Sequence, residues 1–93
     1  MTADEAVQDI AQAQALGFDA FALNVMTLDP ADTWSSAAIA FLFKAALAAS
    51  FHLFFSFDTT HVKDPSAWVT LLTQYAGSAA YYKFDGKAFV SMY

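Results

Sequence analysis

Phe51 to Asp58 reads Phe-His-Leu-Phe-Phe-Ser-Phe-Asp, and this octet limits the fold more than any other part of the chain. It is short, aromatic and apolar, and it follows an alanine-rich stretch of helical character. That combination describes a buried strand of a parallel sheet. An ionised carboxylate is costly to bury without a partner, so Asp58 at the end of such a strand must be exposed or hydrogen-bonded. In β/α proteins ligands bind at the carboxyl ends of the strands. The octet therefore predicts both a fold class and the face on which a site would lie.

The rest of the chain fits the same alternation. Thr2 and Glu5 have capping-box spacing, and Val7, Ile10, Ala11, Ala13 and Ala15 follow as a helix that Gly17 would close. Phe18 to Val25 reads as a strand, with Phe21 and Leu23 towards helices and Ala20, Ala22 and Asn24 on the other side. Asp29-Pro30 marks a turn, and Asp32 or Thr33 would cap a helix from Trp34 to Ala49. Its Ala38, Phe41, Leu42, Ala45 and Ala49 share a face, as core packing requires. Asp64-Pro65 starts a third helix, buried through Trp68, Leu71, Leu72 and Tyr75 and ended by Gly77. Asp85-Gly86 between apolar runs signals a hairpin, and Ala88 to Tyr93 is the last candidate strand.

This is an α/β pattern of about three β/α units. Such units form either a sheet covered on both faces or a closed barrel. A (β/α)8 TIM-type barrel takes about 250 residues, whereas the chain has 93. The expectation is one segment, residues 1–93, of a larger barrel domain.

Charge excludes some functions. Four lysines, no arginine and nine acidic residues give a net charge of −5. Nucleic acid needs a basic footprint, and so do anionic membrane surfaces; neither is expected as a partner. Residues 37–57 are apolar apart from Lys44, Ser50, His52 and Ser56, but the change from alanine to phenylalanine at Ser50 reads as two buried elements and not one membrane span. The acidic first helix has no basic start, so no signal peptide is expected within this chain. Cysteine is absent, which removes disulfides and thiolate metal sites.

Asp58 is the first candidate for chemistry, as a general acid or base or as a ligand for hydroxyls; a loop-capping aspartate is the plainer alternative. Ser56, two residues earlier, is placed to support it. Asn24, expected at the same height on the preceding strand, offers an amide that donates and accepts. His61 lies in the following loop on the same side, whereas His52 and Asp19 fall at the opposite, stabilising end. Trp34, Tyr81 and Tyr82 have flat faces that would suit sugars, but core or hairpin packing is the expected role of each. There is no paired-histidine or histidine–carboxylate cluster, no glycine-rich phosphate loop and no nucleophile elbow, so neither metal nor cofactor is expected.

Three ordered blocks then carry a resemblance: Gly17-Phe18-Asp19-Ala20-Phe21-Ala22-Leu23-Asn24, Leu53 to Asp58, and Gly86-Lys87-Ala88-Phe89-Val90-Ser91. Together they resemble the N-terminal part of glycoside hydrolase family 71, the fungal α-1,3-glucanases or mutanases, with Ala88 where that family usually has proline. The resemblance implies a barrel glycosidase acting on α-1,3-glucan, the polymer of mutan and fungal cell walls, in a parent that is secreted or wall-associated. It places Asp58, Asn24, Ser56 and His61 towards the substrate. A first strand is expected before Thr2 and the main catalytic carboxylates after Tyr93, because glycoside hydrolysis ordinarily uses two and the single glutamate, Glu5, lies in the first helix. The segment alone is then expected to be inactive, its partners being the glucan and the rest of the barrel. Two alternatives remain: a non-catalytic carbohydrate-binding remnant of such a barrel, and a piece of a different barrel glycosidase.

Open edges on hydrophobic strands invite pairing with other chains. The isolated 93-residue chain is expected to elute from size-exclusion chromatography as oligomers or to precipitate; a sharp monomer peak would contradict this.

Overall fold

The computed structural model describes residues 1–27, 32–61 and 64–92. Among the described residues three helices and five strands follow in the order α1 (Ala3–Ala15), β1 (Ala20–Val25), α2 (Thr33–Ala49), β2 (His52–Phe57), α3 (Pro65–Tyr75), β3 (Lys83–Phe84), β4 (Lys87–Ala88) and β5 (Val90–Met92). The strands β1, β2 and β5 form one parallel sheet in that order, and β3 and β4 form a separate antiparallel hairpin. Parallel neighbours that follow one another in the chain, linked by α2 and then by α3 with the hairpin, are β/α units, as the alternation predicted.

The local signals account for the element ends. Thr2 and Glu5 form the reciprocal capping box, with Glu5 N–H on Thr2 Oγ1 at 3.1 Å and Thr2 N–H on Glu5 Oε1 at 3.0 Å. At the other end Gly17 takes a left-handed φ of 89°. The N–H of Phe18 bonds Ala13 C=O and that of Gly17 bonds Gln14 C=O, each at 3.0 Å. This is a Schellman closure. It uses Phe18, which is why β1 begins at Ala20 and not at Phe18. Ser50 plays the glycine's part after α2, with φ 56° and Phe51 N–H on Ala46 C=O at 2.9 Å. The break at Ser50 divides the apolar 37–57 stretch into α2 and β2. Among the described residues no helix is long and apolar enough to cross a membrane. Asp32 caps α2, its carboxylate accepting from Ser35 N–H at 3.0 Å, and Asp64 caps α3 through Ser66 N–H at 3.0 Å. Asp29-Pro30 lies outside the described residues.

The two faces of the sheet differ. Leu53, Phe55 and Phe57 of β2 are buried on the helical side. Phe55 lies 5.7 Å from the Phe43 ring of α2 and 5.8 Å from Tyr75, while Phe57 stacks on Trp68 of α3 at 5.3 Å. Burying side chains of this size stabilises by roughly 1.5–3 kcal/mol each. Phe21 and Leu23 join this core, and α1 packs on α2 through buried Ala6, Ile10 and Ala13. Val7, expected in that stripe, is 56% exposed. In α2 the fully buried set is Ala38, Phe43, Ala45 and Ala46, so the core face lies about one residue further round than the pattern suggested. Trp68, Leu71, Leu72 and Tyr75 of α3 are half-buried against the core. The opposite face carries Ala22 and Asn24, both exposed, and Phe54, which packs on Phe89 at 4.9 Å and Tyr82 at 5.9 Å.

The hairpin interrupts the outer edge of β2. Leu53 N–H bonds Ala80 C=O at 2.8 Å and Tyr82 N–H bonds Leu53 C=O at 2.7 Å; the chain then leaves and returns as β5 beside Phe55. Asp85 and Gly86 both have positive φ, 55° and 77°, as a two-residue type I′ turn requires. The strand expected from Ala88 is confined to Val90–Met92 because Lys87 and Ala88 close the hairpin; Tyr93 lies outside the described residues. Within the gap the Tyr81 hydroxyl accepts from Phe55 N–H at 3.1 Å and donates to Phe89 C=O at 2.7 Å.

Tyr81→Phe leaves the buried Phe55 N–H and the part-buried Phe89 C=O without these partners. It is expected to lower stability by about 1–3 kcal/mol, read from the midpoint of urea unfolding. An unchanged midpoint would mean that water replaces the hydroxyl.

Candidate functional site

Asp58 is placed by the sheet itself. Its N–H donates to Val25 C=O at 3.0 Å, which carries the β1–β2 ladder one step past Phe57. The chain then turns, with His61 N–H on Asp58 C=O at 3.2 Å. The carboxylate fills the turn. Oδ1 accepts from Thr60 N–H at 2.9 Å and from the Thr60 hydroxyl at 2.6 Å, and Oδ2 meets His61 Nδ1 at 2.7 Å. Thr60 Oγ1 is also 3.0 Å from His61 Nδ1. An aspartate that accepts the N–H two residues on makes an Asx turn, so the loop-capping geometry is present.

Asp58 is 7% exposed, but the side chain of His61 is 57% exposed. The Thr60 hydroxyl, the Thr60 N–H and the His61 ring together hold the Asp58 carboxyl down at about 2, against an ordinary value of 3.8, overcoming the opposing effect of burial. The group is an anion throughout the neutral and mildly acidic range.

Asn24, Ser56 and Ser91 are register partners across β1, β2 and β5. Ser56 is buried, and its Oγ lies 2.8 Å from Ser91 Oγ. Asn24 is exposed at the edge strand. The row therefore runs across the open face of the sheet, two residues short of Asp58. Asn24 is level with Ser56 and not with Asp58, a correction of about 6–7 Å along the strand. Ser56, expected to support Asp58, is instead bonded to Ser91.

A cavity of ≈ 250 Å³ opens where β1 ends against the start of α2, lined among others by Asn24, Thr27, Trp34 and Ser35. Trp34 is 66% exposed there, whereas Tyr81 is in the core and Tyr82 is half-buried on Phe54. His52 lies at the other end of β2, beside a second cavity of ≈ 290 Å³ that Ser50 and Ala79 also line. Among the described residues no three His, Asp or Glu side chains converge as metal ligands would.

Strand-end placement brought Asp58, His61, Asn24 and Ser56 to one end of the sheet. Thr60 and Ser91 were missed. The Asp-Thr-Thr spacing of an Asx turn was the available signal for Thr60; Ser91 needed the register of β5.

A sequence model described as glycosyl hydrolase family 71 matches residues 1–93. The chain belongs to this family. A mutanase of Penicillium rubens is 32% identical over 88 residues, which cover 92% of this chain and 19% of the relative. The chain thus spans about a fifth of that curated relative's length. In this family 71 chain, the Gly17–Asn24 block forms the Schellman closure and β1. The Leu53–Asp58 block forms most of β2 and the turn carboxylate.

The lowered Asp58 value has a consequence for stability. An unfolded chain takes up a proton on this carboxyl near pH 4, while the folded chain resists until about pH 2. The contribution is complete above pH 4 and is lost as pH falls towards 2. Glu5 and Asp32, lowered by their capping bonds, act with the same sign. Acid unfolding followed by circular dichroism is expected to be less steep between pH 4 and 2 in Asp58→Asn than in the parent; parallel curves would show that the turn bonds do not persist in solution.

Proposed function

We propose that the chain is part of a (β/α)8 barrel glycosidase that hydrolyses α-1,3-glucan, and that the carboxyl ends of β1, β2 and β5 face its substrate. The observation that carries this reading is the anionic Asp58 at the end of a parallel strand in a family 71 chain. The Penicillium relative is called a mutanase, which supports the choice of glucan. The sheet supports the barrel reading: its strands are neighbours in sequence order, and helices pack on the Phe55 side. In such a barrel the Asn24–Ser56–Ser91 row points inward.

Glycoside hydrolysis needs a proton donor for the leaving oxygen and a second carboxylate as base or nucleophile. Asp58, ionised down to about pH 2, has no proton to give at ordinary pH. Its part is that of the ionised member: base, nucleophile or stabiliser of positive charge on the sugar ring. The acid comes from another segment of the full-length enzyme. Asn24 and His61, which are exposed, supply hydrogen bonds to sugar hydroxyls, and the 93-residue segment by itself does not turn over substrate. The full-length enzyme works outside the cell or in the wall, where the polymer is.

The full-length enzyme is expected to release reducing sugar from insoluble α-1,3-glucan and not from β-1,3-glucan. Asp58→Asn should reduce that rate about 10²-fold or more while the protein stays folded. Full activity in the variant would leave Asp58 as a turn cap alone. Wild-type binding without hydrolysis would favour a carbohydrate-binding remnant.

A further inference from the structure

The Asp58 turn contains a second group whose position is set as firmly as the carboxylate's. His61 Nδ1 is 2.7 Å from Asp58 Oδ2 and 3.0 Å from Thr60 Oγ1. The Thr60 hydroxyl gives its proton to Asp58 Oδ1 at 2.6 Å, so its oxygen faces Nδ1 as an acceptor. An ionised carboxylate has no proton to donate either. Both neighbours of Nδ1 therefore require a proton on Nδ1. A neutral imidazole carries one proton, so the other nitrogen, Nε2, is left as an acceptor. No hydrogen bond to Nε2 is made among the described residues, and more than half of the side chain is exposed. The imidazole is thus oriented by a buried anion and presents its accepting edge outward, at the end of the sheet where Asp58 lies.

We propose that His61 is a hydroxyl-recognising group of the substrate cleft, with Nε2 accepting a hydrogen bond from a sugar hydroxyl, and that Asp58 and Thr60 are its positioning residues. The inference rests on the reading that the carboxyl ends of β1, β2 and β5 face the glucan. It adds a defined tautomer and a defined direction to that reading: His61 takes a donor hydroxyl and refuses an acceptor. Asp58, itself nearly buried, acts on ligand affinity through His61 in addition to its role as an anion in the hydrolytic step. Much of the loss of affinity on removing Asp58 is then a loss of imidazole orientation, which gives the pair a coupled and non-additive signature in binding.

The test uses the full-length enzyme and a short α-1,3-linked glucose oligomer. His61→Ala is expected to weaken oligomer binding about three- to tenfold by titration calorimetry, raising KM by more than it lowers kcat. His61→Gln, which keeps an accepting atom, should recover part of the loss, and His61→Phe none. Asp58→Ala/His61→Ala should bind no more weakly than Asp58→Ala. Nitrogen-15 spectra of the neutral imidazole, assigned by comparison with His61→Ala, should show Nδ1 protonated and Nε2 bare, with the tautomers mixing in Asp58→Ala. Unchanged binding in His61→Ala, or a proton resident on Nε2, overturns the proposal. If Asp58→Asn abolishes hydrolysis while His61→Ala is silent, only this proposal falls. If both variants keep wild-type hydrolysis and binding, the placement of the cleft falls with it.

Discussion

The phenol of Tyr81 holds the third strand in register. Between Tyr82 and Val90 the chain leaves the sheet for the β3–β4 hairpin, and along that interval β2 would face a strand that is not there. The hydroxyl fills the place of the missing backbone, accepting from Phe55 N–H and donating to Phe89 C=O. Burial pushes its pKa up, so it keeps the proton that the Phe89 carbonyl requires. The ring lies 6.0 Å from Phe43 and 5.6 Å from Phe55, which fixes the hydroxyl from the helical side. Phe89 N–H then closes the excursion onto Tyr82 C=O at 3.1 Å. Everything on β5, including the Ser91 hydroxyl that satisfies Ser56, depends on this splice.

The splice also separates two kinds of surface. On one side of β2, Phe55 and Phe57 are packed among Phe43, Trp68, Tyr75 and Tyr81. A buried aromatic layer of this kind tolerates no polar group without a partner. On the other side polarity rises towards the carboxyl end, from Phe54 to Ser56 on β2 and from Ala22 to Asn24 on β1. The hairpin aromatics Tyr82 and Phe89 cover Phe54, while the Asn24–Ser56–Ser91 row lies one step further along. Apolar cover at one level thus gives way to hydroxyl and amide groups at the next.

The fold was legible where one local rule decided each element. The capping box at Thr2, glycine at Gly17, Asp64-Pro65 and Asp85-Gly86 each specify a backbone geometry by themselves, and each is found. Errors arose where the outcome depended on partners distant in sequence. Phe18 looked like strand, but the Schellman closure uses its N–H. Phe43 and Ala46 were outside the expected stripe because α2 meets α1 as well as the sheet, which widens its buried face. Asn24 was set level with Asp58 because strand height cannot be known before the register. Asp58 was legible as a strand-end carboxylate and Thr60 by its local Asx-turn spacing; Ser91, which bonds Ser56, acts through a strand register that composition does not encode.

The turn at Asp58 joins the structural and the chemical descriptions of that residue, which the sequence had set as alternatives. A cap accepts backbone and hydroxyl protons, and those same bonds stabilise the anion over the acid. Capping therefore does not compete with function; it selects which function is open. With its carboxyl held at about 2, Asp58 is unsuited to protonate a leaving group and suited to remain negative beside developing positive charge. A general acid needs the contrary environment, with poor solvation and few donors; Glu5 and Asp32, lowered by their own capping bonds, do not have it either. Under the glycosidase proposal, the hydrogen bonds of this four-residue turn would give Asp58 the ionised part in the division of labour between two carboxylates.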